Sequence, residues 1–268
     1  MKKGNAKPTA DDEALREVFS KADLDAVRRI FSGCTPNELN EPLARAAERG
    51  HLDAVRALVP VSDPKANDSQ TLYLAAASGH LDVVRTLIPV SNPTAKDSSA
   101  LRWVAANGHL DVVRELIPVS SPMANGSEAL CRAAANGHLD VVRTLIPVSN
   151  PTANGSEALR QAAENGRCNV VRELAAVSDA AEVFRAVLAE MTEKTECNGF
   201  CGAMNSSSLR AVNALAPYVG ENLLEQAVRD LPAEFVTCMP HLSAWHAAKR
   251  LGVATPPAAT PPRRRRSL

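Results

Sequence analysis

ANGHLDVVRELIP, residues 106–118, is written into this chain five times. The other copies are ERGHLDAVRALVP from Glu48, ASGHLDVVRTLIP from Ala77, ANGHLDVVRTLIP from Ala135 and a blurred ENGRCNVVRELAA from Glu164. Their glycines, Gly50, Gly79, Gly108, Gly137 and Gly166, fall 29 residues apart without slippage. Self-similarity at a fixed period of this size predicts a solenoid or an array of stacked units.

Each copy encodes two short helices. The repeats begin at Pro42, Thr71, Ala100, Ala129 and Ala158 with Leu-x-x-Ala-Ala-x-x-Gly, as in Leu159 to Gly166. Apolar residues three and four apart form one helical face. Alanine lets a neighbouring helix come close, and glycine ends the helix because it accepts the left-handed conformation. The second helix, as in Leu110 to Ile117, again has one apolar face, and Pro60, Pro89, Pro118 and Pro147 are expected to stop it. The loops between repeats, such as PVSNPTANGS, are turn chemistry. Asn125 with Glu128, and Asn154 with Glu157, read as N-cap and N3 of the following helix. Helices of two turns do not persist alone in water, so the repeats depend on stacking.

Outward from this array the pattern decays. Residues 1–10 read as a flexible tail, and residues 14–33 as a degraded first repeat whose Leu24 and Asp25 align with Leu52 and Asp53. Residues 180–194 read as one longer helix inserted in the stack. Leu209 to Pro217 mirrors Leu110 to Pro118, residues 222–240 fit a drifted helix pair, and residues 242–250 fit a capping helix. The expected organisation is a tail at 1–10, an array over 11–250 with regular repeats at 42–176 and irregular ones at 177–250, and a disordered proline-rich and arginine-rich tail at 251–268.

Composition narrows the function classes. The chain of 268 residues is 45% hydrophobic but only 3% aromatic, which suits closely spaced short helices better than a sheet. Thirty basic residues balance thirty acidic ones, so a general nucleic-acid or anionic-membrane binder is not expected. MKKGNAKPTA has no apolar run behind its charge, and no stretch reaches membrane-spanning length. Six cysteines then read as free thiols of a cytoplasmic protein, host cytosol or nucleus included.

The phrase Leu-x-x-Ala-Ala-x-x-Gly-His-Leu-Asp-Val-Val-Arg-x-Leu-Ile resembles the ankyrin repeat almost position for position in four copies. The resemblance implies an all-α, ankyrin-like solenoid of stacked helix–loop–helix units with degenerate ends. It also implies that His51, His80, His109 and His138 bond backbone at the helix–helix turn; helices about 8–10 Å apart make a zinc ladder improbable. Two departures stand out. The period is about four residues short of the usual ~33, and the Thr-Pro-Leu-His opening is reduced to Thr71-Leu72-Tyr73 or Ala100-Leu101-Arg102. A reduced β-hairpin finger and short, proline-stiffened loops are therefore expected.

Catalytic chemistry finds little footing. Asp53/Arg56, Asp82/Arg85, Asp111/Arg114 and Asp140/Arg143 read as weak pairs on a solvated face. Cys197, Cys201, Cys238 and His241 are zinc-like ligand types without the commonest spacing, and buried structural thiols are the plainer reading. Arg263 to Arg266, followed by Ser267, read as a solvated tail, a nuclear-import patch, a phosphate contact or a basophilic-kinase site. No catalytic residue, metal site or cofactor is expected.

The positions that vary while the frame stays fixed carry more information. In ankyrin proteins the matching positions line the concave surface, which implies partner binding by Tyr73, Ala77, Ser78, Arg102, Trp103, Asn107, Arg132, Asn136, Arg160 and Asn165. Tyrosine, tryptophan and arginine are the usual interface anchors; whether Trp103 faces the groove or the inter-repeat core is open at this stage. The expectation is a monomeric protein–protein interaction scaffold, possible effectors in host cells included, with a groove centred on the second to fourth repeats. The rival is an enzyme or zinc module in 177–250, with the repeats as its recruiting arm.

Overall fold

A computed structural model describes residues 34–202, 206–231 and 233–252, without the side chains of 192–202, 206–207 and 234–235. The sequence read as an N-terminal tail and degraded repeat, and nearly all of the C-terminal tail with Arg263 to Arg266, lie outside the described residues. Every regular element among the described residues is helical. The chain divides into two compact bodies, one ending at Ser121 and one beginning at Pro122.

The first body holds three helix pairs: α1 (Pro36–Glu48) with α2 (Leu52–Leu58), α3 (Ala66–Ala77) with α4 (Leu81–Leu87), and α5 (Ala95–Asn107) with α6 (Leu110–Leu116). α1 packs on α3, and α3 on α5. The second body continues the pattern with α7 (Ala124–Asn136), α8 (Leu139–Leu145), α9 (Ala153–Glu164) and α10 (Cys168–Leu174), and α7 packs on α9. Then come the long α11 (Ala180–Gly202), α12 (Ser206–Leu215), α13 (Glu221–Asp230), α14 (Ala233–Cys238) and α15 (Pro240–Arg250). The stretches 180–194, 222–240 and 242–250 are thus covered by helices.

The core is the alanine-leucine-valine pattern made solid. Leu72, Leu101, Leu130 and Leu159 are sealed, as are Val84, Val113 and Val142 from the second helices. Ala75, Ala76 and Ala105 are equally buried, and their small side chains permit the close approach of neighbouring first helices. The prolines stop the helices as expected. α2, α4, α6 and α8 each end two residues before their proline, which sits second in a single 3-10 turn, as at Ile88–Val90 and Ile117–Val119. Pro217 repeats the device in the turn Ala216–Tyr218.

The start of each first helix corrects the sequence reading. Asn125 and Asn154 are not N-caps. They open left-handed turns, with positive φ at Asn125, Gly126 and Ser127 and at Asn154, Gly155 and Ser156. Asn67, Asp68 and Ser69, and Lys96, Asp97 and Ser98, do the same. In each turn the serine N–H donates four residues back, as from Ser98 to Thr94 O at 3.1 Å. Left-handed backbone costs roughly 1–2 kcal/mol per residue other than glycine, so something must offset it. The turn drives its serine inward: Ser69, Ser98, Ser127 and Ser156 are all buried. Each hydroxyl then accepts the N–H of the next repeat's loop, at Asn92 (2.8 Å), Ser121 (2.9 Å), Asn150 (2.8 Å) and Asp179 (3.2 Å). Asn40 plays the same part for Asp63 N–H through Oδ1 at 3.0 Å.

The other end of each pair is pinned differently. The Nε2 of His80 donates to Glu48 O at 2.9 Å, and that of His109 to Ala77 O at 3.1 Å. A carbonyl only accepts, so the proton sits on Nε2. At two later turns of the second body an arginine makes this bond: Arg167 Nε donates to Ala135 O (3.1 Å) and Arg210 Nε to Glu164 O (3.0 Å). The implied backbone role of His80 and His109 is thus present, and arginine performs it where the repeat degenerates.

Replacing Ser98 by alanine is expected to strand a half-buried N–H and destabilise the protein by about 1–2 kcal/mol. Urea denaturation checks it, and a threonine that keeps the hydroxyl should recover part of the loss.

Candidate partner-binding face

In the first body, residues 30 apart on α3 and α5 lie side by side. Tyr73 meets Trp103 edge to face, with ring centroids 6.1 Å apart and planes inclined by 69°. Trp103 is 40% exposed, so it is a surface residue and not inter-repeat core. Arg102, next to it on α5, sends Nη2 to the carbonyl of Lys96 at 2.8 Å and braces the left-handed turn. Asn107 Nδ2 donates to Ala77 O at 2.7 Å, the same carbonyl that His109 uses. Ala77 itself is half-buried and Ser78 exposed. Four of these six residues therefore come together in two pairs, and Asn107 spends its amide on the fold.

In the second body the arginines are engaged. Arg132 gives Nε and Nη2 to Glu128 Oε1 at 2.8 and 2.6 Å. Arg160 bonds Glu157 through Nε and Nη2 and Glu164 through Nη1, at 2.6 to 2.8 Å. The bond to Glu157 and the nearby carboxylates raise the Arg160 pKa above its ordinary value. Asn165 Nδ2 closes on Gln161 O within its own helix, and Asn136 is exposed. This face presents locked ion pairs, whereas the face of the first body presents an aromatic pair.

The charged residues of the second helices find their better partners across repeats. The Asp/Arg pairs read from sequence lie 3.6–3.9 Å apart on exposed side chains. Arg85 instead reaches Glu115 of the next repeat at 2.6 Å, and Arg143 reaches Glu173 at 2.5 Å. These remain surface pairs of small energetic weight.

No trio of His, Cys, Asp or Glu is placed to hold a metal among the described residues. Cys238 and His241 are exposed, and the side chains of Cys197 and Cys201 lie outside the described residues. Of the thiols that are described, Cys131 is buried and Cys168 exposed. Burial, helped by the Glu157 and Glu128 carboxylates, pushes the Cys131 thiol up to about 11. Its thiolate fraction at pH 8 is then about 100-fold below that of an ordinary cysteine. Mass-spectrometric mapping after a brief iodoacetamide pulse should show Cys168 labelled and Cys131 untouched until the protein is unfolded.

One feature escaped the sequence reading. A cavity of about 490 Å³ lies between α1 and α3, lined by Asn37, Asn40, Glu41, Ala44, Ala66, Asn67 and Gln70. The signal available was the spacing of Asn37 with Asn40 on one helical face, and the recurrence of a carboxamide pair, Asn67 with Gln70, at the start of α3.

A family profile described as ankyrin repeats, three copies, matches residues 15–97 and 101–186, well over half of the chain. The chain belongs to the ankyrin repeat family. Ankyrin repeats are generally protein–protein interaction modules, and the family is typically non-enzymatic. The first match reaches into the sequence read as a degraded repeat, and the second ends within α11. Comparison with curated proteins gave no match. No described helix is long and apolar enough to cross a membrane.

Proposed function

We propose that this ankyrin repeat protein is a non-catalytic, monomeric scaffold that holds a partner protein against the exposed edges of its first helices, and that Tyr73 and Trp103 are its principal anchors. One observation carries the reading: a tryptophan left 40% exposed in a chain that is only 3% aromatic, braced by a tyrosine from the neighbouring repeat. Large, rigid aromatics lose little conformational entropy on binding, and they dominate interface energetics. Helices fixed at both ends by the serine and histidine bonds need little ordering when a partner arrives. Ala77, Ser78, Arg102 and Asn107 border this pair, and Arg132, Asn136, Arg160 and Asn165 form the corresponding edge of the second body.

The test begins with proximity labelling in the native cell to recover partners. The affinity of each purified partner is then measured for the full chain and for Trp103→Ala with Tyr73→Ala. Loss of an anchor pair is expected to weaken binding by more than about 30-fold, with helical circular dichroism unchanged. Partners that bind the double variant as tightly as the parent would remove this face from the reading.

A further inference from the structure

The cavity between α1 and α3 has an unusual lining for an all-helical surface: Asn37, Asn40, Asn67 and Gln70 put four carboxamides around it. Its one charged lining residue, Glu41, is already paired with Arg45 Nη2 at 2.9 Å. No lysine or arginine lines it, so nothing there favours a phosphate, a nucleotide or a carboxylate. The paired Glu41 offers little to a polybasic ligand either.

A carboxamide carries a donor and an acceptor in one plane, the same pair that a peptide group presents. Three of the four groups are held without being saturated. Asn40 Oδ1 accepts from Asp63 N–H, which fixes the side chain and leaves Nδ2 to donate. Asn67 Nδ2 and Gln70 Oε1 touch at 3.4 Å, a long bond that orients both and fills neither. The backbone of a partner helix would gain little from such groups, because its peptide bonds are satisfied internally except at its ends. An extended segment arrives with its N–H and C=O groups unpaired and gains from each one met. The aromatic pair lies close along the same helix: Tyr73 follows Gln70 by three residues, one turn of α3.

We infer that the first body binds an extended peptide segment of its partner, with the main chain bonded by Asn37, Asn40, Asn67 and Gln70 and an apolar side chain seated on Tyr73 and Trp103. This rests on the binding role proposed above and adds the form of the ligand. Specificity then divides in two. The carboxamides select for an unpaired backbone whatever its side chains, and the aromatic pair selects one apolar residue beside it.

The test selects binders to the immobilised full chain from two display libraries, one of short linear peptides and one of surface-randomised helical-bundle domains. Recovered sequences are synthesised with a dye, and their affinities are read by fluorescence anisotropy. Linear peptides are expected to be enriched. Asn37→Ala with Gln70→Ala, both exposed positions, should weaken them by about tenfold or more. N-methylating single peptide bonds of the ligand should cause a comparable loss at one or two positions. Enrichment of bundle domains alone, no enrichment from either library, or linear binders indifferent to both changes would overturn the inference. If such indifferent binders still weaken with Trp103→Ala, only the backbone-reading cavity falls. If they ignore Trp103→Ala as well, the proposed face falls with it.

Discussion

Gly79→Ala is expected to destabilise the protein by about 2–3 kcal/mol, although it adds a single methyl group. Gly79 closes α3 at φ 81°, with its N–H on Ala76 O and the following His80 N–H on Ala75 O. A left-handed alanine costs roughly 1–2 kcal/mol. The new Cβ would also lie 2.7 Å from His109 Nδ1 and 2.9 Å from its Cγ, so the whole ring must retreat. That ring holds Ala77 O, and losing the bond adds about 1 kcal/mol. Gly166→Ala separates the two effects. Its φ is 67°, but the nearest atom is Arg210 Cδ at 3.4 Å, the middle of a flexible side chain. It should show the backbone cost alone, about 1–2 kcal/mol. Urea titrations of the two variants check the difference, and equal losses would show that the ring gives way freely.

Phe184→Ala should be more damaging still, at about 3–5 kcal/mol. Phe184 lies on α11, where the 29-residue frame is lost, yet it is fully buried and the largest such side chain among the described residues. α11 packs on α9 and α12, so the irregular segment shares the core of the regular repeats beside it. Val187 and Leu188, three and four residues on along the same helix, are buried as well, so the vacated space lies within a packed core. Thermal unfolding of the full chain should show the loss in the transition that also reports Leu159. Two separate transitions, with only one of them moved, would show instead that 177–250 folds independently of the repeats.

Much of this fold was legible because it is periodic. One reading of the Leu110 to Ile117 helix served every repeat, and glycine and alanine each have one strong local meaning. What stayed hidden depends on distance in space. Ser69, Ser98, Ser127 and Ser156 recur at one position in every loop, but a serine in a polar loop reads as a turn residue. Only the fold shows that each hydroxyl holds a N–H 23 residues ahead. Asn125 reads as a cap from sequence because three successive left-handed residues are too rare to expect. Asp82 reads as the partner of Arg85 because it is three residues away, whereas Glu115, 30 residues away, is closer in space.

The candidate site was legible in outline for a similar reason. The variable positions flanking the Ala-Ala pair led to Tyr73 and Trp103, and the frame placed them on adjacent helices. The number of neighbours over Trp103 is a tertiary fact, so its exposure had to await the structure. The carboxamide cavity was missed because Asn and Gln on a short polar helix look like solvated surface until two helices face each other.

The paired joints, histidine over glycine at one end and serine under a loop N–H at the other, have a genetic consequence. A gene that loses the codons for residues 71–99 brings Gly50 to His109 and Ser69 to the N–H of Ser121, the same chemical couples that it had before. Unequal crossing-over among such similar copies therefore yields longer or shorter proteins whose seams still fit. Repeat number can change in a single recombination event, while the recognition edges diverge separately by point mutation.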